Sequence, residues 1–478
     1  MSAPGHPRFE VLVDVLIAGA GPAGLVIGLS LARVGVRVLV VEKRSRLSTV
    51  SRALVASTRT MEILRSWGLE DAVRAGSADA EPSGRLAPTL LSADGRRFPL
   101  GYPDARQAAR VSPTGPVWVP QSHLEPILLA RLRPHPTAAV RLNCELVDLL
   151  PERDRVRVVL RDAAHGRRWE ATARYVVGAD GAHSTVRERL GIGMDGPSVH
   201  GEYHGVQFRA PISGFLPGRP CGLNVITQRD AGGILAPRGP DDRWHYGQQR
   251  GPGRPGLADL PVERVTELIA AATGVADLRP RIERVSAFAF AARIADRYRR
   301  GRCLLIGDAA HQMTPRGGTG MNTAIHDAYD LGWRLAWVLR GWADPELLDG
   351  YEADRRPVGL HNVLRSADPD GARRTVEEAL PWDLHGRVAH RWLPRGGRRL
   401  STLDLLGDGL TALIRPGGST GTGGPAEAEP PVAGLHAPVT THVLDEDTAD
   451  ALGVPPVGSM LLTPGGRPAA RVGNAPRH

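Results

Sequence analysis

Two glycine-rich turns far apart in the chain carry the residue types and spacings best suited to chemistry. The first is GAGPAG, Gly19 to Gly24, directly after an apolar run. Gly19 allows a tight turn, Gly21 lets a pyrophosphate approach the backbone, and Gly24 lets the following helix pack on the strand, with Pro22 and Ala23 opening that helix. Glu42, 18 residues beyond Gly24, ends a second apolar run, where an acid can accept hydrogen bonds from ribose hydroxyls. The second turn is GDAAHQMTPRGGTGMN, Gly307 to Asn322. Asp308 stands at a strand end, placed to bind the hydroxyls of a polyol chain. Gly317, Gly318 and Gly320 permit close backbone approach, and the helix expected from Met321 directs free N–H groups and a positive end at a ligand. Two such grips suggest one extended dinucleotide held at both ends. FAD fits, and the positive helix end would stabilise its ring when reduced and anionic.

The elements that must position these residues are readable from periodicity. Val11 to Ala18 is a buried parallel strand, Pro22 to Val34 a helix and Val36 to Val41 a second strand. Helices are expected at Thr58 to Trp67, Gln121 to Leu132 and Gly320 to Arg340, the last with Met321, Ile325, Leu331, Leu335 and Leu339 as its core stripe. A further helix around Pro345 to Arg365 is expected to be interrupted at Pro357. Arg141 to Leu149 and Arg155 to Leu160 read as a hairpin leading to the apolar strand ARYVVGADG. In that segment Asp180, Gly181, Ser184 and Arg187 read, on the residues alone, as a solvated turn. His311 reads as a structural turn residue and Arg316 equally as a surface arginine.

From Gly201 to Gln249 short alternating strands predict an antiparallel sheet distinct from the nucleotide-binding layer. In RWHYGQQ the alternation puts Trp244, Tyr246 and Gln248 on one face, and His245 and Gln249 on the other. With Gln207 and Asn224, Trp244 and Tyr246 are the candidate substrate contacts, although aromatic stripes on strands more often pack a core. Pro416 to Pro431 reads as a flexible low-complexity linker or loop.

Composition narrows the class. A chain of 478 residues implies about three domains. The net charge of +9 would point to nucleic acid, but Lys43 is the only lysine among 60 basic residues and no basic run carries interleaved aromatics, so a solvated basic surface is expected. Cys144, Cys221 and Cys303 show no disulfide, zinc or CxxC spacing, which fits a reducing cytoplasm and no bound metal. No apolar run approaches the roughly 20 residues of a membrane span.

The motifs, in this order and separation, resemble the para-hydroxybenzoate hydroxylase-type, class A FAD-dependent aromatic monooxygenases over about Asp14 to Pro357. The resemblance implies an α/β fold: a discontinuous dinucleotide-binding FAD domain of the GR2 type (1–78, 103–185, 283–372), an inserted antiparallel-sheet substrate domain (79–102, 186–282) and a C-terminal thioredoxin-like domain (385–478). That last region keeps parts of the pattern, lacks CxxC, carries the Gly-rich insertion and stops early. By the same resemblance, GAGPAG matches the pyrophosphate loop, Glu42 the ribose acid, GADG with Asp180 and Gly181 the link to the nicotinamide site, Gly307 and Asp308 the ribityl contact, and Pro315, Gly318, Gly320, Met321 and Asn322 the loop beside the isoalloxazine. Arg52 and Gln121 fall where flavin-contacting residues lie, Lys43 and Arg44 near the adenosine, and Leu146 at the adenine edge.

VQFRAPI, PRGPDDRWHYG and HRWLPRGGRRLSTLDLLG are most similar to hydroxylases of aromatic polyketides from actinomycetes. The implied reaction is hydroxylation of a phenolic, polyketide-type substrate: NADPH or NADH, bound transiently, reduces FAD, and oxygen adds to form a carbon-4a hydroperoxide. The flavin carries that chemistry, so no catalytic side chain is assigned. Within the fold the alternatives are Baeyer–Villiger oxygenation of a polycyclic ketone and a non-catalytic FAD protein that shields an intermediate. A flavin-dependent halogenase needs a lysine away from the adenosine, which this chain lacks, and a plain nicotinamide dehydrogenase leaves Gly307 to Asn322 without a role. The partners expected are an aromatic small molecule, no nucleic acid and no membrane, in a monomer or homodimer.

Overall fold

The computed structural model describes residues 11–49, 53–197, 201–251, 255–417 and 434–469. Apolar, β-branched runs build an eight-stranded main sheet whose central part is parallel and buried on both faces. Its strands run in the order Arg299–Arg300, Cys303–Leu305, Arg168–Gly178, Val11–Ala18, Val38–Glu42, Ala138–Leu142, with the hairpin Cys144–Pro151 and Val156–Asp162 attached through Arg168–Gly178. Register aligns Ala18 with both Val41 and Gly178, and Gly178 with Leu305. Four carboxyl-terminal strand ends therefore meet along one edge, each followed by one of the motifs or by the acid read from the sequence.

Helix Pro22–Arg33 packs on this sheet beside Gln121–Leu132 and Gly320–Arg340, and its buried residues lie all round it. Helix Asp349–Ala367 passes through Pro357 without the expected interruption. Proline inside a helix costs about 3 kcal/mol. Tertiary contacts hold the preceding turns: Tyr351 Oη donates to Leu305 O at 2.8 Å and Arg355 Nε to Asp327 Oδ1 at 2.8 Å.

The second sheet has seven strands in the order Arg281–Phe290, Gly201–Arg209, Arg243–Gln249, Gly233–Gly239, Cys221–Ile226, Glu81–Ala87, Arg96–Pro99, antiparallel except between Cys221–Ile226 and Glu81–Ala87. Helix Val262–Thr273 covers one face with its apolar stripe Val265, Leu268, Ile269 and Ala272. The C-terminal region forms a small mixed sheet, Leu410–Ile414 between Val439–Val443 and Met460–Leu462, with helix Glu446–Leu452 and its own apolar cluster. Of the linker expected at 416–431, all beyond Gly417 lies outside the described residues, as does Arg52. Among the described residues the three cysteines are buried and unpaired, and no helix is long and apolar enough to cross a membrane.

Candidate functional site

The strand-end edge is built from backbone first. Gly19 sits at φ +103°, and a Cβ there would overlap Ala179 O; a Cβ on Gly24 would overlap Gly19 O. Both glycines are demanded by the close approach of the turn, the neighbouring strand end and the helix. Gly21 differs: a Cβ there meets nothing within 4 Å, so its backbone borders open space at the N-terminus of Pro22–Arg33. That vacant ledge, beside N–H groups lacking helix acceptors, suits a pyrophosphate. Glu42 is nearly buried, its Oε2 accepting from Ala20 N and its Oε1 from Arg44 N, each at 3.0 Å. These bonds fix the carboxylate at the edge. Lys43 and Arg44 are exposed just beyond it.

At Gly307–Ala309 the chain makes a 3-10 turn in which Asp308 is exposed between two buried neighbours. Behind it lies a charge cluster missed in the sequence. Asp327 Oδ2 is 2.5 Å from His311 Nε2 and accepts from Gly307 N at 3.4 Å, while Oδ1 takes the Arg355 bond. Burial alone would raise the Asp327 carboxyl, but His311 and Arg355 outweigh it and hold the group at about 2. Asp327 lies on the buried face of its helix, one turn before Leu331. A carboxylate there was the signal that buried cations must face it.

Asp180 turns inward: Oδ1 accepts from Ser184 Oγ at 2.5 Å and Oδ2 from Val186 N at 3.1 Å, and burial pushes its carboxyl up against these bonds. It organises its own turn, with Gly181 at φ +83° and an open Cβ direction. Arg187 donates to Ala309 O and Ala182 O, each at 3.2 Å, tying the GADG turn to the Asp308 turn.

The loop before helix Gly320–Arg340 places Gly317 and Gly318 at φ +81° and +64°, where Tyr102 Oη donates to Gly318 O at 3.1 Å. Pro315 is exposed, and a Cβ on Gly320 would meet only Met313 Cβ at 3.9 Å. Met321 joins the main core. The Asn322 side chain is committed to protein: Oδ1 accepts from Ser57 N and Thr60 Oγ1, each at 2.8 Å, and Nδ2 donates to Val55 O and Gly318 O. Only its backbone is left for a ligand at the helix start. Behind it lies a cavity of about 40 Å³ with a mixed lining, in which Val358 and Trp382 stand beside Tyr102, Thr319, His326 and Asp383. Burial lifts the Asp383 carboxyl to about 6, against bonds from Ser57 and the Arg59 N–H. Gln121 bonds Glu125 at 2.7 Å, and the Leu146 side chain is in the core.

The second sheet presents its uncovered face to this edge. Arg316 Nη2 donates to Gln249 Oε1 at 3.3 Å, and Arg238 Nη2 to Ser122 Oγ at 3.2 Å. Three candidate substrate contacts are corrected by this register. Trp244 and Tyr246 align with Phe208 and Val206 and pack under helix Val262–Thr273. Asn224 pairs with Leu235 on that covered face and donates to Cys221 O and Leu235 O. Gln207 does lie on the uncovered face, paired with His245. The ring His245 Nε2 is 3.2 Å from Tyr203 Oη and stacks on Tyr203, which Phe288 also touches. Burial, with help from Arg238, pushes the His245 imidazole down to about 4, so it is neutral near pH 7.

Comparison with known proteins agrees with this geometry. Residues 12–366 match the FAD binding domain family. The chain is similar to aklavinone 12-hydroxylase RdmE of Streptomyces purpurascens, 35% identical over 97% of this chain and 96% of that protein. It is also similar to tetracenomycin B2 monooxygenase-dioxygenase of Streptomyces olivaceus, 31% identical over 96% and 94%. Among solved structures, a ternary complex of aklavinone-11 hydroxylase with FAD and aklavinone superposes with a TM-score of 0.83 at 30% identity, covering 97% of this chain and 96% of that one.

Proposed function

The chain belongs to the FAD-dependent aromatic monooxygenases, in the branch of the aromatic polyketide hydroxylases, and from that premise we propose that it hydroxylates a planar, phenolic polyketide-type substrate held between the strand-end edge and the uncovered face of the second sheet. The observation that carries this reading is the gathering of four parallel strand ends, followed by GAGPAG, Glu42, GADG and GDAAH, along one edge under that face. The residues fit FAD. Open space at Gly21 receives the pyrophosphate, Glu42 the ribose, Asp308 the ribityl hydroxyls, and the loop from Pro315 with the backbone start of Gly320–Arg340 the ring. When bound, FAD supplies acceptance of a hydride from NAD(P)H and activation of molecular oxygen.

The chain's own part is placement. The helix start offers partial positive charge to a reduced ring, and the Asn322 bonds keep that start against the 53–58 segment. Across the gap, Tyr203, Gln207 and His245 offer neutral hydrogen-bonding groups and aromatic surface, matching a substrate of fused rings with hydroxyl and carbonyl oxygens. A neutral imidazole can accept a hydrogen bond from a phenol or donate one to a quinone oxygen.

The test uses purified protein with aklavinone as first probe, followed by a set of hydroxylated anthraquinones. Bound FAD, substrate-accelerated NAD(P)H oxidation and a product with a new ring hydroxyl are expected. An oxygen inserted into a ring would replace this reading with Baeyer–Villiger chemistry, and FAD retention without any acceleration would leave a non-catalytic flavoprotein.

A further inference from the structure

The proposed hydroxylation has a proton balance that the site must meet. An aromatic C–H becomes C–OH, the second oxygen atom leaves as water, NAD(P)H gives up a hydride, and closing the balance takes one proton from solvent per turnover. A site that keeps bulk water off the reacting groups needs a guarded way in for that proton. The cavity of about 40 Å³ at the start of helix Gly320–Arg340 is built for that task. Its volume is enough for more than one water, since one water needs about 10–15 Å³. Thr319 and Asn322 bring the helix start to its wall, and Ser57, Thr323, His326 and Asp383 add polar atoms. Two lining residues also reach the surface: Trp382 is 38% exposed and the Asp383 side chain 19%.

A hydrogen-bonded row leads along this wall from Asp383 to the helix start. The Asp383 carboxylate accepts from Ser57 Oγ and from Arg59 N, the latter at 3.1 Å. Ser57 Oγ lies 3.4 Å from Thr60 Oγ1, which donates to Asn322 Oδ1 at 2.8 Å. His326 Nε2 stands 3.1 Å from Thr60 Oγ1 and 3.9 Å from Asp383 Oδ1. Burial, with Arg355 and Arg59, holds the His326 imidazole well below its usual range, so the neutral ring has one donor and one acceptor nitrogen. Around Asp383 stand Arg59 and Glu62 of helix Thr58–Ser66, His326 of Gly320–Arg340, Arg365 of Asp349–Ala367 and the Tyr102 hydroxyl. Desolvation prevails among them, and a carboxyl at about 6 both releases and regains a proton near neutral pH.

We infer that Asp383 is the outer station of a proton path into the ring site. Its carboxyl O–H gives a proton to water in the cavity, that water passes it on at the helix start, and the carboxylate takes a replacement from solvent beside Trp382. No other bond forms or breaks, and no electrons move. The inference rests on the monooxygenase reading, whose balance requires the proton.

The experiment uses FAD-loaded full-length protein with aklavinone as aromatic probe, and the variants Asp383→Asn and Asp383→Glu. Asp383→Asn keeps an acceptor for Ser57 and Arg59 but has no acidic proton. Its turnover near neutral pH is expected to fall at least about tenfold, less than the roughly 10²–10⁴-fold of a group acting directly on substrate, with the aromatic KM unchanged. Anaerobic reduction of the bound FAD by NAD(P)H takes a hydride alone and should keep its rate. Asp383→Glu should keep most of the turnover, and formate or azide, as small weak acids, should restore part of it to Asp383→Asn. Infrared difference spectra of FAD-free protein between pH 5 and 8 read the group without turnover: the unaltered protein should lose a protonated-carboxyl band that Asp383→Asn lacks. Undiminished turnover in Asp383→Asn, equal slowing of anaerobic reduction, a loss that neither Glu nor the weak acids restore, or absence of the band would overturn the inference. If no aromatic compound accelerates NAD(P)H oxidation by the unaltered protein, the monooxygenase reading itself fails, a result distinct from a working hydroxylase indifferent to Asp383→Asn.

Discussion

Asp308 and Asp383 are both carboxylates near the proposed ring site, and their surroundings assign them opposite work. Asp308 is exposed at a turn that Asp327, His311 and Arg187 hold rigid from behind. Replacing it with Ala removes no core volume, so Asp308→Ala should keep its melting temperature and lose FAD on dilution; retention equal to the unaltered protein would refute its role in the grip. Asp383 is half-buried, and desolvation lifts its folded-state pKa to about 6, above the ordinary value of 3.8. A raised carboxyl favours the protonated folded form, so its contribution is best below about pH 4 and worsens as pH rises to about 6. Asp383→Asn keeps an acceptor oxygen without the charge. It should therefore stabilise the protein more at pH 8 than at pH 5 in thermal melts, and an equal shift at both would contradict the burial argument. His245 is the sharpest test on the substrate side. His245→Leu should preserve FAD while raising the aromatic KM and the share of NAD(P)H spent on peroxide, and His245→Gln should restore part of the coupling; unchanged coupling in the Leu variant would remove the residue from the substrate wall.

Among the elements, the turn from Val11–Ala18 into Pro22–Arg33 separates folding from binding within six residues. Gly24 touches Gly19 O and is needed for the helix to meet the strand, whereas Gly21 borders open space. Gly24→Ala should lower the melting temperature of the FAD-free protein. Gly21→Ala should leave it unchanged and weaken FAD binding by about tenfold or more, because a methyl group would occupy the pyrophosphate ledge. A Gly21→Ala protein with normal FAD affinity would move the pyrophosphate elsewhere. The same elements show what local sequence could reveal. The βαβ order, the helix Gly320–Arg340 and the strand alternation in RWHYGQQ were legible because each depends on neighbours within a few residues. Continuity through Pro357 was not, because it depends on Tyr351 and Arg355 finding Leu305 and Asp327 across the core.

At the scale of the whole molecule, the C-terminal region is tied to helix Thr58–Ser66 through buried charge. Glu62, in helix Thr58–Ser66, accepts from Arg387 Nη2 at 2.6 Å and from Arg59 Nη1 at 2.9 Å, and Arg59 also donates to Gly465 O. Burial would raise the Glu62 carboxyl, but Arg387 and Arg59 outweigh it and keep it ionised. Breaking a buried pair on one side costs about 3–5 kcal/mol. Arg387→Ala should lose stability on that order in urea unfolding, with a loss below about 1 kcal/mol counting against a structural latch. The chain by itself determined the cofactor class and the order of the edge motifs, because glycine turns, strand-end acids and helix starts state their chemistry within short windows. It could not determine which face of the second sheet meets the cofactor, since strand alternation defines two faces without saying which one a helix will cover. Only the packing of Val262–Thr273 over Trp244 and Tyr246 decided that, leaving Tyr203, Gln207 and His245 on the uncovered side.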